Sequence, residues 1–290
     1  MRITIPEQWK GRNIEDLLRN QWRVPKKLIH NLRMDKAITL NGKITNWNIT
    51  LNDGDELFIS LREEGEGIAP YPYSLDILYE DDFLIVVNKP ADMATHPNDS
   101  ETNTLANAVS YHLQNVYDAQ NPRHVHRLDK NTSGAILFAK NIFSQVVLDR
   151  MLTDREIKRT YWALADGIIR SKNGKITEPI GRDRHHPTRR RVSKTGQHAI
   201  THYKVINTFP KDKLSLIECS LETGRTHQIR VHLSFIGHPL AGDELYGGSS
   251  KFTRQALHAR KLEFIHPFLQ KKVQVTAPFL DNPPIFENFL

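Results

Sequence analysis

Cysteine is almost missing from this chain. Its 290 residues include one, Cys219, which excludes an internal disulfide and any cysteine-rich zinc site. Long apolar runs are missing too. None approaches 18 residues, so no segment is expected to span a membrane. The opening stretch MRITIPEQWKGRN has no apolar core and is not read as a signal peptide. There is no internal repeat and no long low-complexity tract. Together these absences predict a cytoplasmic enzyme or nucleic-acid-binding protein. What is present fits that class. Hydrophobic residues make up 39%, enough for a real core. Forty Lys and Arg against 33 Asp and Glu leave a net charge of +7, which favours an anionic partner.

Most of that surplus sits in one place. Residues 182–204 hold seven Lys or Arg (Arg182, Arg184, Arg189, Arg190, Arg191, Lys194, Lys204) and one acid, Asp183. Pro187 and Gly196 predict a loop there. A concentrated basic loop suits contacts to phosphates, which supply most sequence-independent RNA affinity. Arg189, Arg190 and Arg191 are the candidate contacts. His185, His186, His198 and His202 lie in the same stretch. Neither a cysteine nor a pair of acids accompanies them, so no metal site and no cofactor is expected.

Three segments follow from composition and periodicity: a small unit over 1–62, a linker over 63–73 and a large domain over 74–290. In the first, Ile14, Leu17 and Leu18 predict a short helix. Val24-Pro25 opens a second, with Leu28, Ile29 and Leu32 on its apolar side. Lys26, His30 and Arg33 share another face, and Lys26 and Arg33 are candidate RNA contacts. Asn41-Gly42 between apolar runs is a hairpin signal, and Gly54-Asp55 leads into the strand Glu56–Ser60. The linker is acidic and rich in Gly and Pro.

In the large domain, Phe83–Val87 is an apolar run ending in Asn88-Lys89-Pro90. A helix is expected from Leu105 and another over Ser144–Leu152. Lys158–Ala165 and Leu214–Cys219 are expected strands. Ile229, Leu233 and Ile236 recur at helical spacing after Gly224-Arg225, and Gly237 and Pro239 stop that helix. Arg225 is therefore expected where a helix begins, an end that favours anions.

The stretch that organises the domain is His126–Gly134, HRLDKNTSG, followed by the apolar run Ala135–Ala139. A short continuous apolar run bounded by turn residues reads as a buried strand. Asp129 then stands in a turn beside Arg127 and Lys130. Neighbouring cations keep a carboxylate ionised. An ionised Asp in that place suits a nucleophile, an electrostatic stabiliser or a structural ion pair, and not a protonated general acid.

This nine-residue string resembles the signature of the RluA/RluD-type pseudouridine synthases, which convert uridine to pseudouridine in RNA. Further strings resemble the same family in the same order: NKPADM with THP, KRTYWAL, ETGRTHQIRVHL, GHPLAGD and ALHA. They span about residues 76–280. One departure is Asp92, where the family usually has Gly. The order of helix, helix, hairpin and Gly-Asp turn in 1–62 is similar to the S4 RNA-binding domain, without its usual helix-opening Ser-Arg.

The resemblance implies an α+β fold. Its catalytic domain is built on a mixed, mostly antiparallel sheet with flanking helices and loops, beside the small S4-like unit. It implies Asp129 as nucleophile, Arg225 as the partner of that Asp, and Tyr161 against the target base as candidate proton acceptor. Arg127, two residues before the Asp, is the candidate wedge for the space a flipped base leaves, since a guanidinium stacks on bases. The expected partner is RNA, ribosomal RNA ahead of tRNA, and the expected state is a monomer. A purely RNA-binding protein and a metal-dependent hydrolase using the histidines are the competing readings.

Overall fold

The computed structural model describes residues 1–61, 67–98, 101–117 and 121–290. In the N-terminal part, β1 (Arg2–Thr4), β2 (Ile38–Leu40), β3 (Lys43–Ile44) and β4 (Glu56–Ile59) form an antiparallel sheet in the order β1-β4-β2-β3. Asn41 and Gly42 both take positive φ, as the expected hairpin turn requires. Helices α1 (Ile14–Asp16) and α2 (Lys26–Met34) accompany the sheet. Asn13 caps α1 by accepting the Asp16 backbone N–H at 2.8 Å. In α2, Ile29 and Leu32 are buried and Lys26, His30 and Arg33 are exposed, so the helical periodicity sorts the faces as expected.

The rest of the chain is built on one large sheet. Its main path runs β10 (Asn173–Ile176), β13 (Thr201–Phe209), β14 (Leu214–Leu221), β9 (Lys158–Asp166), β15 (Leu257–Ile265), β8 (Ser133–Ala139), β6 (Leu84–Lys89), β5 (Ile77–Glu80). Strand β16 (Lys272–Thr276) pairs with the second half of β15, and β7 (Arg123–His124) with β8. The pairings are antiparallel except β8 with β15, which are parallel. The fold is α+β on a mixed, mostly antiparallel sheet.

The apolar run of β8 shows why it carries no polar alternation. Side chains of a strand alternate between faces. Ala135, Leu137 and Ala139 join one core with Phe143, Val147 and Leu148 of α4 (Ile142–Thr153) and with the N-terminal Trp9, Trp22 and Leu18. Ile136 and Phe138 join the other core, with α3 (Leu105–Tyr117) and with Ile229 and Leu233 of α5 (Gln228–Phe235). Both faces are covered, so every position is apolar. Trp22 fastens the N-terminal part to the large sheet. Its ring meets Phe143 at 5.5 Å and Phe268 at 5.7 Å, and its Nε1 donates to the Pro267 carbonyl at 3.2 Å.

Residues 62–66 of the expected first unit and linker, and 118–120 of the loop after α3, lie outside the described residues. The linker's remainder lies along α3: Asn107 donates to Ala69 O at 2.8 Å and Ser110 to Ile68 O at 2.6 Å. The basic stretch expected as a loop is instead a small ribbon. Strands β11 (Ile180–Arg182) and β12 (Arg190–Val192) pair antiparallel around the Asp183–Arg189 turn. Strands of three residues are too short to reveal a period, so Pro187 and Gly196 dominated the expectation. Among the described residues no helix is long and apolar enough to cross a membrane.

Candidate active site

Asp129 sits in the turn between β7 and β8, and two devices hold that turn. Its own carbonyl accepts the Thr132 N–H at 2.9 Å. From below, the fully buried Lys89 donates to the carbonyls of Pro90, Met93 and Lys130 at 2.7–2.8 Å. Burial pushes the Lys89 ammonium down to about 7, against the opposing pull of the Asp129 charge. Asp92, in the Lys89 loop, takes φ +58. Asp tolerates this left-handed geometry better than most residues, so the departure from Gly leaves the turn intact. Gly134 lets β8 run against β15, because a Cβ there would stand 2.4 Å from the Ala259 carbonyl oxygen.

The carboxylate of Asp129 is paired, but not with Arg225. Its Oδ2 accepts from Nη1 of Arg230 at 3.0 Å. Arg225 turns away and donates through Nε to the His198 carbonyl at 2.9 Å. The cause is where the helix starts. His227 takes a left-handed conformation, so α5 opens at Gln228 and Arg230 falls in its first turn. Arg230 is buried, and its other two nitrogens form a fork on Asp243, Nε to Oδ2 at 2.7 Å and Nη2 to Oδ1 at 2.8 Å. Burial works to lower its pKa; the hydrogen bond to Asp243 and the charge of Asp129 outweigh it, and the guanidinium stays charged. Arg230 also lies 5.0 Å from the centre of the Tyr246 ring. On the other side of Asp129, His227 Nε2 is 3.8 Å from Oδ2, while its Nδ1 is 2.8 Å from the Tyr246 hydroxyl.

Asp129, Arg225, His227 and Arg230 line an open cleft of about 690 Å³. Tyr161, from β9, and Leu257, from β15, line it with Asp129 and Arg230. Burial pushes the Tyr161 phenol up and the Asp129 charge adds to that, against the neighbouring Arg159 guanidinium. The phenol therefore keeps its proton at neutral pH. The cleft also takes in four arginines, Arg127, Arg155, Arg159 and Arg225. Arg127 is exposed and donates to the Thr226 hydroxyl at 2.9 Å, across the mouth from α5. Arg155 is held by Glu222 at 2.6 Å.

Sequence had therefore brought Asp129, Tyr161, Arg127 and Arg225 to one cleft. The other candidates lie elsewhere. Arg33 pairs with Glu15 and sits 4.5 Å over the Trp47 ring, and Lys26 is exposed on the same helix. On the ribbon, Arg189 is tied to Asp183 at 3.2 Å, Arg190 faces a second cavity, and Arg191 is exposed.

The half-buried, paired Asp129 faces a basic cleft on this sheet, and the whole chain resembles known proteins. The family model for RNA pseudouridylate synthase matches residues 83–235. The chain belongs to that family. A model for the RluD ribosomal pseudouridine synthase N-terminal domain matches residues 1–57. An uncharacterized RNA pseudouridine synthase of Bacillus subtilis is 48% identical over 282 residues, 96% of this chain and 93% of the relative. The ribosomal large subunit pseudouridine synthase D of Neisseria meningitidis serogroup A is 41% identical over 263 residues, 85% of this chain and 70% of that protein. Among solved structures, human RNA pseudouridylate synthase domain containing 1 matches with a TM-score of 0.59 at 28% identity, over 75% of this chain and 86% of that one.

This pseudouridine synthase thus has site residues that sequence reasoning passed over: Arg230, Asp243, His227, Tyr246 and Leu257. Their strings were visible, Gln228-Ile229-Arg230, Gly242-Asp243 and Ala256-Leu257 among them. The missing signal was a second arginine beside the apolar stripe of α5, where a buried guanidinium needs a buried acid.

Proposed function

We propose that this chain isomerises specific uridines of large-subunit ribosomal RNA, with Asp129 as the nucleophilic carboxylate at the sugar. Support for the reaction comes from the family, and for the target from the names of the relatives and of the matching N-terminal model. One observation carries the assignment of roles: the Asp129 carboxylate, fixed by Arg230, faces an open cleft with Tyr161 and Leu257 beside it.

The reaction breaks the bond from N1 of the base to C1′ of ribose and forms a bond from C5 to C1′. The hydrogen on C5 leaves and N1 gains one. No electrons change hands, so no redox carrier is called for. An ionised carboxylate at C1′ stabilises positive charge on the sugar while the base turns. Arg230 aims the Asp129 carboxylate, and its fork on Asp243 keeps Arg230 from moving with it. Tyr161 offers a flat apolar face to the base. Its phenol is neutral at pH 7, so it accepts the C5 proton only by passing its own proton on. Base flipping from a loop or bulge costs a few kcal/mol. Arg127 is in place at the cleft mouth to fill the vacated stack.

Residues 1–62 act as an S4-like targeting unit joined through 63–73 to the catalytic domain 74–290, with Lys26 and Arg33 toward RNA. The chain works as a cytoplasmic monomer. The test is tritium release from 5-³H-uridine-labelled large-subunit ribosomal RNA lacking the modification, with excess chelator present. Wild type releases tritium, and Asp129→Asn releases none while binding RNA within a few-fold of wild type. Release by the variant, or its loss of RNA binding with normal folding, removes Asp129 from the nucleophile role. Release from tRNA alone moves the target.

A further inference from the structure

A second cavity, of about 310 Å³, opens beside the cleft and shares Arg225 and Thr226 with it. Its opposite wall is the β11–β12 ribbon. The ribbon's register sets Arg182 directly opposite Arg190, so both side chains leave the same face. Both line the cavity, and with Arg225 they make three guanidiniums around one space. Like charges directly opposite on a ribbon are destabilising unless something negative lies between them. Among the described residues, none of the three makes an ion pair with a carboxylate, although Arg189 on the same ribbon is paired with Asp183 at 3.2 Å. Arg225 is held by its Nε on the His198 carbonyl, which leaves its two Nη groups for a ligand.

The wall is built rather than draped. The 193–197 segment packs backbone to backbone on β11: Ser193 N–H donates to Pro179 O at 2.8 Å, and Ile180 and Gln197 exchange bonds at 2.8 and 2.9 Å. A Cβ on Gly196 would stand 2.4 Å from the Ile180 carbonyl carbon, so only glycine permits this approach. The ribbon is also tied to the catalytic centre. The Arg190 backbone N–H donates to the Tyr246 hydroxyl at 2.9 Å, and that hydroxyl is the partner of His227 beside Asp129.

We propose that Arg182, Arg190 and Arg225 form a pocket for a single backbone phosphate of the RNA, next to the uridine that enters the cleft. Guanidinium forks match phosphate oxygens in pairs, which a mobile lysine cannot do. The shared wall at Arg225 and Thr226 puts that phosphate beside the cleft mouth, where Arg127 is bonded to Thr226. The pocket would fix the strand on one side of the target nucleotide, so that binding on the ribbon positions the sugar over Asp129. The proposal rests on the RNA-isomerase reading for its ligand.

The test is the salt dependence of RNA binding, measured by filter binding of unmodified large-subunit ribosomal RNA. Wild type is compared with Arg182→Ala, Arg190→Ala, the double variant and Arg190→Lys, all checked for unchanged melting temperature. Each phosphate neutralised contributes about 0.7–0.9 to the slope of log affinity against log salt. The expected result is a loss of about one in slope for the double variant, with affinity down about tenfold at 0.15 M salt. Each alanine variant alone should lose no more than that, and Arg190→Lys should keep the slope but weaken binding about threefold. An unchanged slope in the double variant overturns the pocket. A loss of two also overturns it, since that means two separate phosphates. If wild type releases no tritium and the double variant still loses one unit, the pocket stands and the isomerase reading falls. If wild type releases tritium and the slopes do not move, the reverse holds.

Discussion

Replacing Arg230 by methionine separates the two tasks of that side chain. Arg230 serves two carboxylates, Asp129 at 3.0 Å and Asp243 at 2.7 and 2.8 Å. The side chain of Asp243 is only 2% exposed and that of Asp129 24%. Two unit charges at about 4 Å attract by about 4 kcal/mol gross at an effective dielectric near 20. Desolvation offsets much of that, so the pair adds little net stability. Breaking a buried pair is another matter, because it leaves a charge stranded in the interior. Arg230→Met should therefore lower the unfolding free energy by about 3–5 kcal/mol, mostly through Asp243. Adding Asp243→Leu removes the stranded charge and should return at least about 2 kcal/mol. Turnover should not return with it. Asp129 still lacks its donor, and one such preorganised hydrogen bond is worth about 100-fold or more in rate. Denaturant unfolding reads the first quantity and single-turnover tritium release the second. Arg225→Met, which strands no carboxylate, should shift stability by less than about 0.5 kcal/mol. The reasoning fails if Arg230→Met retains turnover within a few-fold, or if Asp243→Leu recovers no stability in its background.

Three further outcomes follow from the same geometry. Tyr161→Phe keeps the ring against the base and removes the hydroxyl; RNA affinity should hold while turnover drops more than 100-fold, and near-normal turnover would leave Tyr161 a packing role only. Gly134→Ala combines a φ of +113 with a Cβ pressed onto the Ala259 backbone, so it should destabilise by about 3 kcal/mol or more and reduce the melting temperature; an unchanged melting temperature would mean β8 and β15 can part without loss. His258 is fully buried on Ser133 Oγ, and burial pushes its imidazole from 6.5 down to about 4. The unfolded chain then takes up the proton first, so this contribution is fully present above pH 6.5 and is lost as pH falls toward 4. At about 1.4 kcal/mol per unit, the loss is on the order of 3 kcal/mol. The difference in stability between wild type and His258→Asn should shrink over that window, and a constant difference would contradict the burial argument.

Local rules made part of this molecule legible. The Asn41-Gly42 turn, the doubly buried run Ala135–Ala139 and the left-handed Asp92 each depend on a few neighbouring residues. Periodicity also found the buried stripe of α5 at Ile229 and Leu233. What it could not find was the partner of Asp129. Arg225 and Arg230 stand five residues apart in one motif, and the choice between them depends on the conformation of His227. That conformation is tied to the Tyr246 hydroxyl, 19 residues further on. Arg230 also needs Asp243, 13 residues away, to be tolerated inside. The ribbon was missed for a related reason. Its strands are three residues long, and the bonds that hold its base come from Pro179 and Gln197, outside the strands themselves.

Pairing, rather than charge, is what sorts the arginines of this protein. Arg254 is buried and forked on Asp281 at 2.8 Å, with further bonds to Ser133 Oγ and the carbonyl of Asn131 that steady the turn carrying Asp129. Arg230 is buried and forked on Asp243 in the same way. Both have every guanidinium nitrogen bonded to the protein, and both hold Asp129 in place, one through its backbone turn and one through its carboxylate. Arg127, Arg182, Arg190 and Arg225 make no carboxylate pair among the described residues, and all four border the cleft or the cavity beside it. A guanidinium left without a carboxylate in such a setting gains most when a phosphate or a base arrives. Composition counts these six as equal charges. The structure divides them into two that fix Asp129 and four that are left without a carboxylate, and the variants above act on one group at a time.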